Sequence, residues 1–529
     1  MNDVDAIVIG SGIGGLTAAA ILGRLRGWKV LVLERHIRPG GFTHTFHRKG
    51  GWTWDVGVHY VGPLHEGLER DVFTLLTDDH LRWARMPEVY DRVVFPDFEF
   101  GFRAGAAATR SDLVAAFPRE AAGIDAWLAA VDRSSGYLAP MAIRSLLPGF
   151  AAPIVDLFTG GTRRLSLRRT GDWLGQHIQD PRLRAVLGAR WLDYGLPPAQ
   201  SAMLMHAIIS RHYLEGAYYP EGSSASIAAC AKKVIEDAGG EVRTNTEVAE
   251  VVLEGGRAVG VRLAKGEQVR APVVISNAGA RNTYLRLLPE SAPVPFREQL
   301  RGVAPGMGSV SAFLGLRGSP AGLGTAGENL WLHDELDQDR LAARSGELLD
   351  GRAPVSFVSF PSLKDPLATH HTVEIAAPAD AAPFQKWAAG RWYRRGEDYT
   401  ALKAKLGEAL LDAAERRLPG LRDLVEVREI GTPLSTIHFT AHPGGESYGI
   451  PATPERFQAP WVGPRTPIPG LYLAGADALV LGVVGAAMGG AFATAAVLGL
   501  STIPAISREA SRRRASRPAI PSATRPSTA

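Results

Sequence analysis

Apolar and polar positions repeat with different periods along this chain, and each period marks a different kind of element. The opening stretch, DAIVIGSGIGGLTAAAILGRLRGWKVLVLERH, starts with a short apolar run from Ala6 to Ile9 and then a glycine-rich turn. Small and apolar residues follow from Leu16 to Arg26, and a second apolar run covers Val30 to Leu33. The pattern predicts strand, turn, helix and strand, with both strands buried on two faces. Further on, GGEVRTN and EVAEVVLEGGRAVGVRL alternate and turn at Gly255-Gly256, which predicts antiparallel pairing. Val273 to Ser276 and Leu471 to Ala474 read as two more buried strands, the second leading into a Gly/Ala-rich helix from Val483. No charged residue occurs from Ala478 through Ile506, long enough to span a bilayer. Glycine and alanine dominate there rather than leucine and isoleucine, so a closely packed core helix is the expectation.

The turn after the first strand, Gly10-Ser11-Gly12-Ile13-Gly14-Gly15, fits G-x-G-x-x-G. Gly10 allows the tight turn, Gly12 lets backbone approach a pyrophosphate, and Gly15 lets helix and strand pack closely. A diphosphate then sits at the positive end of a helix. Glu34 closes the second strand and can accept hydrogen bonds from ribose hydroxyls, with Arg35 beside it. A second copy of the spacing, Gly322 to Gly327, precedes ENLWLHDE rather than an apolar helix and is expected to be a decoy. Gly40-Gly41-Phe42 comes six residues after the acid and resembles the glycine pair of flavoproteins, whose backbone contacts the diphosphate and ribityl chain. The expected cofactor is therefore FAD. Asp477 would hold a ribityl hydroxyl, the helix start at Val483-Val484 would face the flavin pyrimidine ring, and Gly475 and Asn277 would flank it. In flavoproteins of this build Val248 presents its backbone to the adenine. The fold class expected is α/β: a discontinuous FAD-binding Rossmann-like domain of the glutathione-reductase type with an inserted α+β substrate domain. Its FAD segments are residues 1–65, 219–290 and 425–504, interrupted by substrate segments 66–218 and 291–424.

Composition removes several function classes. The chain holds 529 residues, 46% apolar and 21% charged, so it can bury a large core. Net charge is only +4 despite a pI near 9.1. Residues 505–529 hold six arginines and one acid, +5, which leaves the rest of the chain at −1. The surplus sits in a Ser/Pro/Ala/Arg tail expected to be disordered, and a nucleic-acid role loses its support. Cys230 is the single cysteine and needs no oxidising compartment. The acidic start, Met1-Asn2-Asp3-Val4-Asp5, differs from a signal peptide. A cytoplasmic location is expected. Tyr137 to Phe158 is apolar apart from Arg144 and Asp156, is broken by proline, and precedes Arg163, Arg164, Arg168 and Arg169. It fits either a buried helical pair or a peripheral contact with the inner face of a membrane.

The set GSGIGG, PGGF, WDVGVHYVG, YPEGSS, ISNAG, PLSTIHFTAHPGGESYG and GLYLAGAD…GVVGAAMGG resembles the phytoene desaturase group of FAD-dependent oxidoreductases. Within that group the likeness is to the retinol 13,14-reductase (retinol saturase) and carotenoid isomerase branch, on the strength of DVGVHYVG, Asp55 to Gly62. The resemblance implies an apolar tunnel to the flavin and hydride transfer to or from a polyene or isoprenoid of carotenoid or retinoid type. It also implies that His59 lies near the isoalloxazine. His59 and Tyr60 are the catalytic candidates, followed by His438, His442 and Tyr448. No His/Cys/carboxylate spacing suggests a metal. NAD(P)H, lacking a fingerprint of its own, would bind only transiently as reductant. Two alternatives stay open on the residues alone: a flavin amine oxidase, and a flavin-holding membrane assembly protein without turnover.

Overall fold

The computed structural model describes residues 3–147 and 152–516. Five short strands form one parallel sheet, in the order Leu471–Leu473, Val273–Ser276, Ala6–Ile9, Val30–Leu33, Glu241–Arg243. Its three central strands are buried throughout, which is why they read as unbroken apolar runs. The first and last of the FAD segments thus meet across the Val273–Ser276 strand. Glu241–Arg243 joins this sheet in parallel beside Val30–Leu33, so GGEVRTN does not pair with the hairpin. Its alternation arises because an edge strand is half covered. The hairpin itself forms, Val248–Glu254 against Arg257–Leu263, with Gln268–Arg270 as a third strand.

Two helices made of small residues pack against each other over the sheet. Ile13–Arg26 and Gly482–Leu498 approach so closely that a Cβ on Gly490 would lie 2.1 Å from the Gly14 carbonyl oxygen. This contact explains the uncharged Gly/Ala stretch: side chains longer than alanine would separate the backbones. Among the described residues no single helix is long and apolar enough to cross a membrane; the Gly482–Leu498 helix bends by 118° into the next one.

The substrate segments share a seven-stranded sheet, in the order Val425–Gly431, Gly308–Leu316, His371–Ala379, Val355–Ser359, Asn329–His333, Val89–Val94, Glu99–Arg103. Of the helices that follow, Ala106–Ala116 packs on Glu99–Arg103, and Ala121–Ser135 packs on Met203–Tyr213. Two expected boundaries move. Val425–Gly431 pairs with Gly308–Leu316 and belongs to the substrate sheet. Gly67–Thr77 packs on the Ile13–Arg26 and Ala225–Asp237 helices and belongs to the FAD side.

The tail expectation is corrected for residues 505–516. Thr502–Ala515 is a helix that buries Thr502, Ile506 and Ala510, four residues apart, against Gly67–Thr77. Arg513 pairs with Asp78 at 2.7 Å and Arg514 with Asp71 at 2.8 Å. Arg513 and Arg514 are counterions for acids at a neighbouring helix, and composition alone concealed the apolar stripe. Residues 517–529 lie outside the described residues.

Candidate active site

The two glycine segments fold into one cradle. The Gly40 amide donates to the Ser11 carbonyl at 3.1 Å, and Gly12 and Gly40 pair as an isolated parallel bridge. Gly10, Gly40 and Gly41 all have positive φ, at 91°, 118° and 56°. A Cβ on Gly12 would stand 2.6 Å from Asn277 Nδ2, and one on Gly14 would stand 2.5 Å from Gly475 Cα and 2.7 Å from the Ala486 carbonyl. Gly15 packs inward, its Cβ position 2.2 Å from the Gly10 carbonyl oxygen. The carboxylate of Glu34 accepts the Ser11 amide at 2.8 Å, the Ser11 hydroxyl at 2.7 Å and the His36 amide at 2.7 Å. Those contacts fix it at the end of its strand, facing a cavity of about 1220 Å³. That space exceeds the roughly 300–1,000 Å³ of one small-ligand site, and it leaves room for a dinucleotide and a second molecule. Of the residues expected to hold the cofactor, Gly10, Gly12, Ile13, Gly14, Glu34, Arg35, Gly40, Gly41, Phe42, His59, Val248, Asn277, Asp477 and Val483 line it. Gly15, Gly475 and Val484 do not; the two glycines serve the close packing behind the wall. Asp477 is already engaged, accepting the Ala280 amide at 2.8 Å and the Ile450 amide at 3.0 Å. The cradle fits FAD: backbone amides at a helix start, glycines where a Cβ would collide, and an acid at the ribose end.

Beyond the cradle the cavity runs along the substrate sheet, past Met307, Phe313, Trp331, Phe357 and Pro378. His59 projects into it from the DVGVHYVG segment, its ring 4.8 Å from that of Phe357. His59 Nδ1 stands 3.0 Å from Glu374 Oε2, and neither atom is hydrogen-bonded to any described residue. The other oxygen of Glu374 accepts the Asp55 amide at 2.8 Å. Burial pushes the Glu374 carboxyl up to about 8, opposed by the Asp55 amide and Lys364. Burial likewise pulls the His59 imidazole down to about 3, with Lys364 adding to the effect. Both shifts favour the uncharged forms, so the contact is a neutral carboxyl beside a neutral imidazole rather than an ion pair.

Lys364 pins the same segment from behind. Its ammonium donates to the His59 carbonyl at 2.9 Å, to Ser359 Oγ at 2.7 Å and to Asn329 Oδ1. Burial draws its pKa down to about 7, against the pull of Glu374. Asp55 is held by Ser224 and Tyr219, and burial together with Glu374 raises it to about 6.

Tyr60 is corrected as a catalytic group. It does not line the cavity; it stacks on Tyr213 at 4.1 Å, and its hydroxyl bonds Asp193 at 2.8 Å. The segment lies beyond the Thr53–Asp55 strand, and there the two neighbouring side chains part: His59 lines the cavity while Tyr60 is buried against Tyr213. Tyr448 and His442 reach the cavity, with His442 Nδ1 on the Glu446 carbonyl at 2.8 Å. His438 sits at the rim, stacked on Trp392 at 4.6 Å. Glu374, Lys364 and Asp193 escaped the sequence reading. The available signal for Glu374 was one acid inside an otherwise apolar strand, HTVEIAAPA.

A model of the flavin containing amine oxidoreductase family matches residues 13–498. The chain belongs to that family. Among curated relatives it is 35% identical to an all-trans-retinol 13,14-reductase of Macaca fascicularis, covering 94% of this chain and 85% of the relative. It is 28% identical to a phytoene desaturase (neurosporene-forming) of Cereibacter sphaeroides, covering 92% and 94%. A solved oxidoreductase from Methanosarcina mazei shares the fold, with a TM-score of 0.60 at 18% identity over 92% of this chain and 98% of that one. This protein is therefore an FAD-dependent oxidoreductase of the retinol-reductase and phytoene-desaturase kind, which bears out the expected fold, cofactor and enzyme class. Amine oxidation is the less supported reading, since the relatives reported act on carbon–carbon bonds.

Proposed function

We propose that this flavoenzyme reduces a carbon–carbon double bond of an apolar polyene of the retinoid or carotenoid type. The observation that carries the reading is one cavity joining the dinucleotide cradle to an apolar wall on which the His59 imidazole stands beside a buried carboxyl. Reduction is favoured over desaturation because the retinol reductase is the nearer of the two relatives, 35% against 28% identity. Bound FAD supplies hydride chemistry. The chain's own residues hold the polyene in a cleft, and His59 gives its Nε2 proton to the carbon that does not receive hydride while the Glu374 carboxyl, 3.0 Å away, passes its proton to Nδ1, so the double bond gains two hydrogens and the imidazole stays neutral. Glu374 regains its proton from solvent, and an external two-electron reductant, of nicotinamide or another class, completes the balance.

Membrane contact belongs to the same proposal, because a polyene must be collected from lipid. Leu157 and Phe158 are 80% and 82% exposed, with Ile143 and Ile154 also outside. They lie on Leu138–Leu146 and Ala152–Ser166, near Arg163 and Arg164. This supports a peripheral position on the inner, cytoplasmic face of a membrane.

The test is anaerobic. Dithionite-reduced holoenzyme mixed with all-trans-retinol should regain oxidised-flavin absorbance while forming a product two hydrogens heavier. Reduction of oxidised flavin by a polyene would reverse the assigned direction, and reduction only by amines would replace the substrate class.

A further inference from the structure

The cavity continues past His59 to a second end that the proposed reduction does not use. Four residues paired directly across the substrate sheet line it in a row: Phe357, Ala376, Ser311 and Gly431. Each step between strands is about 4.8 Å, so the row runs about 14 Å from the Phe357 ring beside His59. Two residues before Gly431, on the same strand, Glu429 also lines the cavity. It is held by Arg48 Nε at 2.6 Å, and another nitrogen of Arg48 donates to the Tyr393 hydroxyl at 2.8 Å. Arg395 and Lys403 line the same end. The Arg395 guanidinium lies over Trp392 at 5.3 Å and Tyr399 at 5.5 Å, and its buried Nε is hydrogen-bonded to no described residue. Lys403 sits one turn beyond Tyr399 on the Glu397–Arg417 helix. Burial lowers its pKa; Glu429 opposes the fall, and Arg395 and Arg48 deepen it. Three cations thus share one carboxylate, and that carboxylate is committed to Arg48.

Partly buried cations without a counterion of their own select a ligand by its negative end. We propose that Arg395 and Lys403 form a subsite for a carboxylate, so that the polyene preferred by this enzyme carries an acid group at one end. This rests on the polyene reading above. A carboxylic acid is ionised at neutral pH. Its planar group can take two parallel hydrogen bonds from a guanidinium, and an ammonium adds a third. An alcohol or a hydrocarbon would leave both charges without a counterion. A dinucleotide reductant fits this end less well, because the glycine fingerprint belongs to the FAD cradle and none adjoins these cations. Holding one end of the polyene here sets which double bond lies beside His59.

Binding tests the subsite apart from turnover. Oxidised holoenzyme is titrated with all-trans-retinoic acid and with all-trans-retinol, following the quenching of tryptophan fluorescence. The acid should bind about tenfold more tightly. Lys403→Gln and Arg395→Gln should each lose part of that advantage, and the double variant all of it, by weakening the acid alone. Arg395→Lys keeps the charge and should retain more of the advantage than Arg395→Gln. Equal binding of acid and alcohol by the unsubstituted enzyme overturns the proposal. So do single or double variants, with normal FAD content, that weaken both ligands alike or neither. Flavin reduction by NADPH that slows in the double variant, while acid binding holds, would overturn it by giving the site to the reductant. If no polyene reoxidises the flavin yet the acid's advantage stands and is lost with these side chains, the reduction reading fails and the carboxylate subsite survives.

Discussion

The two halves of the cavity are built on opposite principles. The cradle is backbone: glycines, amides at a helix start, and one carboxylate tied to neighbouring main chain. The facing wall is side chain: His59 and Asp193 line it, with Glu374 and Lys364 behind, drawn from three segments more than 100 residues apart and braced by buried polar contacts. Backbone sites tolerate almost no added atom, whereas side-chain sites lose chemistry without losing shape. Substitutions should therefore separate them into loss of cofactor and loss of turnover.

The largest effect is expected in the cradle. Gly14→Val places a side chain against the Gly475 Cα and the Ala486 carbonyl, both backbone and unable to yield. The protein should purify without flavin, read as the flavin-to-protein ratio. Stoichiometric FAD in that variant would break the contrast.

Next comes His59→Phe, which keeps an aromatic ring against Phe357 and removes the proton. FAD content should be unchanged and the rate of flavin reoxidation by polyene should fall by about 10²–10⁴-fold. A rate within a few-fold of the parent would show that His59 only shapes the wall.

Glu374→Gln sharpens the same point through pH. In the parent, Glu374 holds its proton until pH rises to about 8. Above that it ionises, and the donor to His59 Nδ1 is lost. Activity should therefore decline on the alkaline side, through the region where Lys364, near 7, also gives up its charge. A glutamine amide donates to Nδ1 at every pH, so the limb belonging to Glu374 should vanish while that of Lys364 remains. An unchanged profile would remove Glu374 from the proton inventory.

The smallest effect lies outside both halves. Arg514→Ala removes a partly buried partner of Asp71 and should cost about 1 kcal/mol, seen as a modest drop in Tm with FAD retained. Loss of flavin there would mean that the C-terminal helix supports the cradle.

The C-terminal helix shows how composition misleads. Six arginines among serines and alanines read as a solvated tail, yet Ile506 and Ala510 supply a stripe and Asp71 and Asp78 the counterions. Those acids lie more than 400 positions away, beyond the reach of any local pattern. Tyr60 shows a subtler failure. Its place in the motif was legible, but which of two adjacent side chains faces the cavity depends on partners, Tyr213 and Asp193, that lie more than 130 residues away.

The sequence by itself determined the cradle, because a dinucleotide site requires consecutive glycines at a strand–helix turn, and such short-range geometry is written in adjacent residues. It likewise determined the discontinuous FAD domain, through apolar runs that suit only buried parallel strands. Tertiary structure alone decided the protonation of His59, the bracing of Asp193 and the docking of the last helix. Each depends on burial and on partners distant in the chain, and both the dielectric and the partner exist only once the chain has folded.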